Sequence, residues 1–238
     1  MKLDILVIAA HPDDSELACS GTIASHIDKG YKVGVLDLTQ GEMGTRGTPE
    51  IRLEESKEAA EKLGLSMREN LKFKDVFFKD DFEHQVQIVR YLRKYKPEIV
   101  LANAVTDRHP DHGKGGVLAS KACFMSGLRK IETEWDGQPQ DVWRPQYIYH
   151  YIQNNYIQPD FVVDVTEFWD KKMESIKAFK SQFYDPNSKE PESFISSSGF
   201  LDFIDARGKE FGHSINTIYG EGFTVERMIG ISDLFNLK

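Results

Sequence analysis

Residues 3–16 read LDILVIAAHPDDSE. The first eight are apolar and nearly continuous, the pattern of a strand buried on both faces. The run stops at His11-Pro12-Asp13-Asp14. From Ser15 to Lys29 the apolar positions Leu17, Ile23, Ala24 and Ile27 fall at helical spacing, and Gly30 fits a helix stop. A buried strand that feeds a helix through a tight polar turn is the opening unit of an α/β fold. Residues 32–39 (KVGVLDLT) repeat the strand signal, and 50–63 repeat the helix signal between Pro49 and Gly64. Helix 81–95, strand 97–103 (PEIVLAN) and helix 111–128 continue the alternation. Later strands are expected at 146–151 and 161–165, helices at 167–179 and 200–213, and a closing strand or hairpin at 219–231. Residues 40–49 and 185–198 read as loops. This order implies a Rossmann-like α/β fold, a mainly parallel β-sheet with helices on both faces. No linker, repeat or low-complexity tract interrupts it, so residues 1–238 are expected to form a single domain.

The 238 residues are 40% apolar and 29% charged, an ordinary globular balance with length enough for a core that needs no staples. Thirty basic against 38 acidic residues leave a formal charge of −8. Such a chain has no general attraction for nucleic acid or for an anionic membrane, and neither is expected as a partner. Cys19 and Cys123 are the only cysteines and form no CxxC pair, which points to a reducing cytoplasm. The apolar run at 5–10 is too short and too acidic at its edges for a signal peptide. No stretch approaches the ~20 apolar residues that span a bilayer.

In open α/β sheets ligands sit beyond the carboxyl ends of the strands. The first strand ends in His11-Pro12-Asp13-Asp14-Ser15-Glu16, and PEIVLAN is followed by Thr106-Asp107-Arg108-His109-Pro110-Asp111-His112. Both clusters carry His and Asp, and parallel strands put both at one edge. Imidazole nitrogen with carboxylate oxygen suits a zinc-like ion, which catalytic sites hold with three protein ligands. His11 and Asp14, three positions apart on a strand-to-helix turn, can face one point. His112, just inside a helix start, is the better third ligand than His109, which then stays free nearby. Asp13 cannot share the direction of Asp14 and is placed to act as a base. A lone cluster reads as well as helix capping by Asp13, Asp14 or Ser15; two clusters at equivalent strand ends favour a site. His26, His84, His150 and His213 lack such company and read as surface or core residues, and Cys123 reads as core packing.

Other chemistries lack their motifs. Gly41-Glu42-Met43-Gly44-Thr45-Arg46-Gly47 misses the G-x-G-x-x-G spacing, and neither G-x-S-x-G nor a G-x-x-x-x-G-K-[ST] loop occurs. The aromatic residues form no basic-aromatic stripe for single strands.

Ala10-His11-Pro12-Asp13-Asp14-Ser15-Glu16 resembles the A-H-P-D-D-x-E signature of the LmbE-like (PIG-L) deacetylase superfamily, and Arg108-His109-Pro110-Asp111-His112 resembles its second signature. Gly44-Thr45-Arg46-Gly47-Thr48 through Arg52 is similar to its substrate loop. Lys180-Ser181-Gln182-Phe183, Ala206-Arg207 through Phe211-Gly212, and Gly220-Glu221-Gly222-Phe223 match later segments in unbroken order. The Leu36-Asp37-Leu38-Thr39 strand end, the DRHPDH loop and the EGF tail look most like the bacillithiol-biosynthesis deacetylases, which remove acetate from N-acetylglucosaminyl malate.

The resemblance implies an LmbE-like fold and one zinc or other divalent ion held by His11, Asp14 and His112. It implies Asp13 as general base, His109 facing the developing oxyanion, and Arg52 and Arg108 in contact with a small N-acetylaminosugar, Arg108 through a malate carboxylate. It also implies a homo-oligomer, a hexamer in related enzymes. Without it, Arg52 reads as a helix-surface partner of Glu55 or Glu58. One departure stands out: close relatives carry Gly-Tyr before the Ala-Arg…Phe-Gly helix, with the Tyr hydroxyl assigned to the oxyanion, and here the pair is Gly199-Phe200. The alternatives are a superfamily deacetylase or amidase for another N-acyl aminosugar (a chitooligosaccharide or a thiol conjugate), a metal-dependent phosphoesterase, and a non-catalytic sugar-binding domain. A phosphoesterase wants a second carboxylate cluster beyond Asp107 and Asp111, and a binding domain needs no base.

Overall fold

The computed structural model describes residues 1–236; residues 237–238, part of the single-domain expectation, lie outside the described residues. In chain order the elements are β1 (Ile5–Ala9), α1 (Asp14–Asp28), β2 (Val33–Thr39), α2 (Pro49–Leu63), β3 (Met67–Phe73), α3 (Phe82–Tyr95), β4 (Ile99–Ala102), α4 (Pro110–Ser126), β5 (Glu134–Trp135), β6 (Gln138–Pro139), β7 (Tyr147–Tyr151), β8 (Phe161–Asp164), α5 (Trp169–Ile176), α6 (Phe200–Ser214) and β9 (Gly220–Val225). Among the described residues no helix is long and apolar enough to cross a membrane.

Seven strands form one sheet in the order β3-β2-β1-β4-β7-β9-β8. The first five in that order run parallel, while β9 pairs antiparallel with both β7 and β8. The sheet is therefore mainly parallel, as expected from the β-α alternation. β1 has β2 on one side and β4 on the other. The chain order reverses between β1 and β4, and the crevice outside their carboxyl ends is where such a sheet takes its ligand.

The unbroken apolarity of β1 follows from its place in the middle. Leu6 and Ile8 face one layer, with Ile88, Val89 and Leu92 of α3 and Leu118, Ala119 and Cys123 of α4. Ile5 and Val7 face the other, with Ala18, Cys19, Ile23 and Ala24 of α1. Successive side chains on a strand point to opposite faces, so a strand covered on both sides is apolar at every position. Trp169 and Ile176 of α5 and Ile204 of α6 build a third cluster outside this frame.

Three strands were not legible. β3 reads MRENLKF, an edge strand whose charged residues hide its period, as edges commonly do. The β5–β6 hairpin has only two residues per strand. The helix expected at 167–179 is a short 3₁₀ turn, Thr166–Phe168, followed by α5. The tail forms one strand, β9, inserted between β7 and β8 rather than a hairpin.

A buried ion pair ties the third cluster to the frame. α1 leaves helical geometry at Cys19. Beyond that kink, the amides of Gly21 and Thr22 donate to the Glu221 carboxylate of β9 at 3.0 and 2.7 Å. Lys172 of α5 meets the same carboxylate at 2.6 Å, both side chains being 3% exposed. Removing one member of such a pair strands the other charge. Glu221→Ala should therefore lower unfolding free energy by ~3–5 kcal/mol in urea titration; a loss below ~1 kcal/mol would contradict this assignment.

Candidate active site

The β1–α1 turn decides where two adjacent carboxylates point. Asp13 has φ 119° and ψ −22°, a backbone region that a non-glycine residue enters at a cost of ~1–3 kcal/mol. Arg52 of α2 holds the turn: Nη2 donates to Pro12 O at 2.5 Å and to Asp13 Oδ2 at 3.0 Å, and Nη1 donates to Gly41 O at 3.3 Å. Gly41, at φ 67°, is required there, since a Cβ would lie 1.8 Å from Arg52 Nη1. The turn sends Asp13 toward Arg52 and Asp14 toward the imidazoles, the divergence expected from the sequence.

Three imidazoles come together beside the β1–α1 turn. Ligand atoms of His11, His109 and His112 all lie within 4.8 Å of one another. Asp14 stands between two of them, its Oδ2 at 3.6 Å from His11 Nδ1 and its Oδ1 at 3.1 Å from His112 Nε2. Both rings anchor their other nitrogen on a carboxylate. His11 Nε2 lies 3.0 Å from Asp75 Oδ1 and 3.4 Å from Asp111 Oδ2, and His112 Nδ1 lies 2.5 Å from Asp107 Oδ2. Metal-ligating histidines are oriented in this way, one nitrogen on the ion and one on a carboxylate. Two imidazoles and a carboxylate with these supports fit a zinc-like divalent cation. A second group, His11, Asp75 and Asp111, also brings its ligand atoms within 4.8 Å, but there the carboxylates occupy the nitrogen that orients His11.

The electrostatics agree. Burial alone would lower the pKa of His11, yet Asp111, Asp14 and Asp75 outweigh it and hold the ring well above its ordinary value. Burial likewise opposes protonation of His112, but Asp14 and Asp107 bring it up to about 9. Asp14 is pushed up by burial but driven well below the usual carboxylate range by His112 and His11. The cluster is built to hold positive charge. His109 differs. Burial first, then the charges of His11 and His112, lowers its pKa, so the ring is neutral at pH 7. Its Nδ1 accepts from Asp111 N at 3.3 Å, which leaves the proton on Nε2 as a donor. Burial raises Asp13 to about 7 against the pull of Arg52, where a carboxylate serves as a base near neutrality.

These groups line a cavity of about 350 Å³ together with Phe194, Phe200, Phe203 and Ile204. Phe200 is buried among Phe183, Phe194 and Phe203 and offers no donor. Arg52 reaches the cavity with its guanidinium already engaged by Asp13, Pro12 and Gly41, so it acts first on the turn rather than on a ligand. The helix-surface pairing with Glu55 or Glu58 does not form: Glu55 accepts from Ser181, and Glu58 pairs with Lys62 and Lys180. Arg46, also at the wall, is engaged by Phe183 O, Ser188 and Glu190. Arg108 is exposed, lies over the Phe194 ring at 4.2 Å, and its guanidinium makes no hydrogen bond or ion pair among the described residues.

Sequence reasoning missed three members of the site. Asp75 follows β3, the strand that was not recognised. Asn103, the last residue of the strand expected at 97–103, lies just past β4 and donates to Asp14 Oδ2 at 3.0 Å. Gln153 lies just past β7 and donates to Asp14 Oδ1 at 3.1 Å; the strand-end rule would have flagged it. Of the four histidines set aside, His150 is buried against Asn103 O and Glu226, while His84 sits at the start of α3 against Asp81.

Comparison with known proteins covers the same segment. A family model, PIG-L, described as GlcNAc-PI de-N-acetylase, matches residues 6–123, which include every candidate ligand. The chain is 32% identical over 189 residues to the diacetylchitobiose deacetylase of Thermococcus kodakarensis, covering 75% of this chain and 70% of that one. It is 28% identical over 193 residues to the 4-oxalmesaconate hydratase of Pseudomonas putida, with coverage of 74% and 73%. It is 30% identical over 204 residues to a probable N-acetyl-alpha-D-glucosaminyl L-malate deacetylase 2 of Bacillus cereus, with coverage of 76% and 84%. The crystal structure of a conserved protein, TT1542, from Thermus thermophilus matches with a TM-score of 0.86 at 34% identity, over 97% of this chain and 98% of that one.

A ligating imidazole must be neutral, so zinc has to displace the protons that the surrounding carboxylates favour. At pH 7.5, binding should release about two protons per ion, one each from His11 and His112, and affinity should fall as pH falls. Calorimetry in buffers of different ionisation enthalpy measures this. Release near zero would contradict the ligand set, as would tight zinc binding by His112→Ala.

Proposed function

The chain belongs to the PIG-L/LmbE-like deacetylase family, and on that basis we propose that it is a metal-dependent hydrolase that removes the N-acetyl group from an N-acetylglucosamine conjugate, with N-acetylglucosaminyl malate as substrate. The observation that carries the hydrolytic reading is Asp13: a buried carboxylate with a pKa raised to about 7, held by Arg52 beside a cation-fitting set that it does not join.

A divalent ion held by His11, Asp14 and His112 would supply Lewis acidity toward the acetyl carbonyl and make a nearby water more acidic. The chain's own groups do the rest. Asp13 takes a proton from water as its oxygen attacks the acetyl carbon. His109 Nε2–H faces the oxygen on which negative charge develops, where a preorganised donor contributes ~3–4 kcal/mol. With Phe200 in place of a tyrosine, His109 carries the protein's part of that stabilisation. When the carbon–nitrogen bond breaks, the proton on Asp13 passes to the departing amine, and acetate and the free aminosugar leave.

The acceptor reading is supported by Arg108. It is the wall arginine whose guanidinium makes no hydrogen bond or ion pair among the described residues; it lies over the Phe194 ring, and its N–H groups are available to a carboxylate. A neutral second sugar, as in diacetylchitobiose, is the alternative, favoured by the aromatic wall at Phe194, Phe200 and Phe203.

Asp13→Ala should lower kcat by ~10²–10⁴-fold while zinc stoichiometry stays at the wild-type value; lost zinc would place Asp13 among the ligands. Acetate release should be faster from N-acetylglucosaminyl malate than from diacetylchitobiose. Arg108→Ala should raise KM for the malate conjugate with little change for the disaccharide. Preference for the disaccharide would select the alternative, and no acetate from either, with zinc present, would refute deacetylation of this class.

A further inference from the structure

The Asp14 carboxylate has a partner for each oxygen besides the imidazoles. Oδ2 accepts from His11 N and from Asn103 Nδ2, both at 3.0 Å. Oδ1 accepts from Gln153 Nε2 at 3.1 Å on the side facing His112. The orientation of both amides follows from one fixed donor. Ala10 N–H points at Asn103 Oδ1 at 2.8 Å, which turns Asn103 Nδ2 toward Asp14 and Gln153. Gln153 then presents Oε1 to Asn103 at 2.9 Å, where Ala104 N also points at 3.4 Å, and Nε2 is left for Asp14. Turning either amide over would set oxygen against oxygen.

The two neighbouring carboxylates are thus treated in opposite ways. Asp13 is met by a guanidinium, which offsets its charge. Asp14 is met by two neutral amides, which fix its plane and leave its charge intact. A lysine or arginine beside Asp14 would orient it equally well but would compete with a cation for the same anion. We infer that Gln153 is a positioning residue for the candidate metal centre: with Asn103 it holds the Asp14 carboxylate, undiminished in charge, toward His11 and His112. This rests on the metal reading of the site. Partners of this kind around a ligand commonly change metal affinity by ~10- to 100-fold.

Gln153 is half-buried on the cavity wall, which makes it a cleaner target than the fully buried Asn103. Gln153→Met keeps the bulk of the side chain and removes the amide; Gln153→Ala removes both. Zinc alone is the probe, its affinity read by competition with a chromophoric chelator, and the melting temperature of the metal-free protein is the fold control. Both variants should bind zinc ~10- to 100-fold more weakly than wild type, with metal-free Tm near the wild-type value. Gln153→Met binding within about threefold of wild type would overturn the inference, and so would weakened binding by the alanine variant alone, which would mean that the side chain only fills space. If the wild-type protein takes up no zinc, the metal reading itself fails and this inference falls with it.

Discussion

Buried negative charge at the carboxyl ends of β1 and β4 constrains the rest of this molecule. Asp14, Asp75 and Asp111 are almost fully buried, and Asp107 partly so, around His11 and His112. Carboxylates withdrawn from water need positive charge at close range, and the rings supply it only when protonated. The same geometry fits a divalent cation in place of those protons, since each ring already has one nitrogen anchored and the other turned toward Asp14. The parallel sheet, its reversal between β1 and β4, and the layers of helix on both faces place these groups within reach of one another.

Within that frame, one strained turn sends two adjacent carboxylates to different partners. Asp13 and Asp14 are neighbours in sequence, and neighbours point apart on any backbone; here the turn gives Asp13 to Arg52 and Asp14 to the imidazoles. The left-handed conformation at Asp13 is held in place by Arg52, which bonds the turn and the side chain together, and by Gly41, which leaves room for the guanidinium. The outcome is one carboxylate set among imidazoles and its neighbour set against a guanidinium.

Much of this was legible in the sequence because the signals were local. The unbroken apolar run of β1 identified a central strand, and the His-Asp endings of two parallel strands identified residues that the fold brings together. What was not legible depended on tertiary placement. β3 was hidden by Arg68, Glu69 and Lys72, and Asp75 was lost with it. Arg52 has acidic neighbours at Glu55 and Glu58 on its own helix, which suggested a surface pair; only the packing of α2 shows that it turns inward. Asn103 and Gln153 carry no charge and no motif, and their role emerges from the direction of a single backbone amide, Ala10 N–H.

Anomalous diffraction at the zinc absorption edge, on crystals of the zinc-loaded protein, tests the central claim most directly. One strong peak is expected, ~2.0–2.2 Å from a nitrogen of His11, a nitrogen of His112 and an oxygen of Asp14, with Asp13 unligated. A peak seated on Asp75 and Asp111, or one that includes Asp13 in place of Asp14, would contradict it.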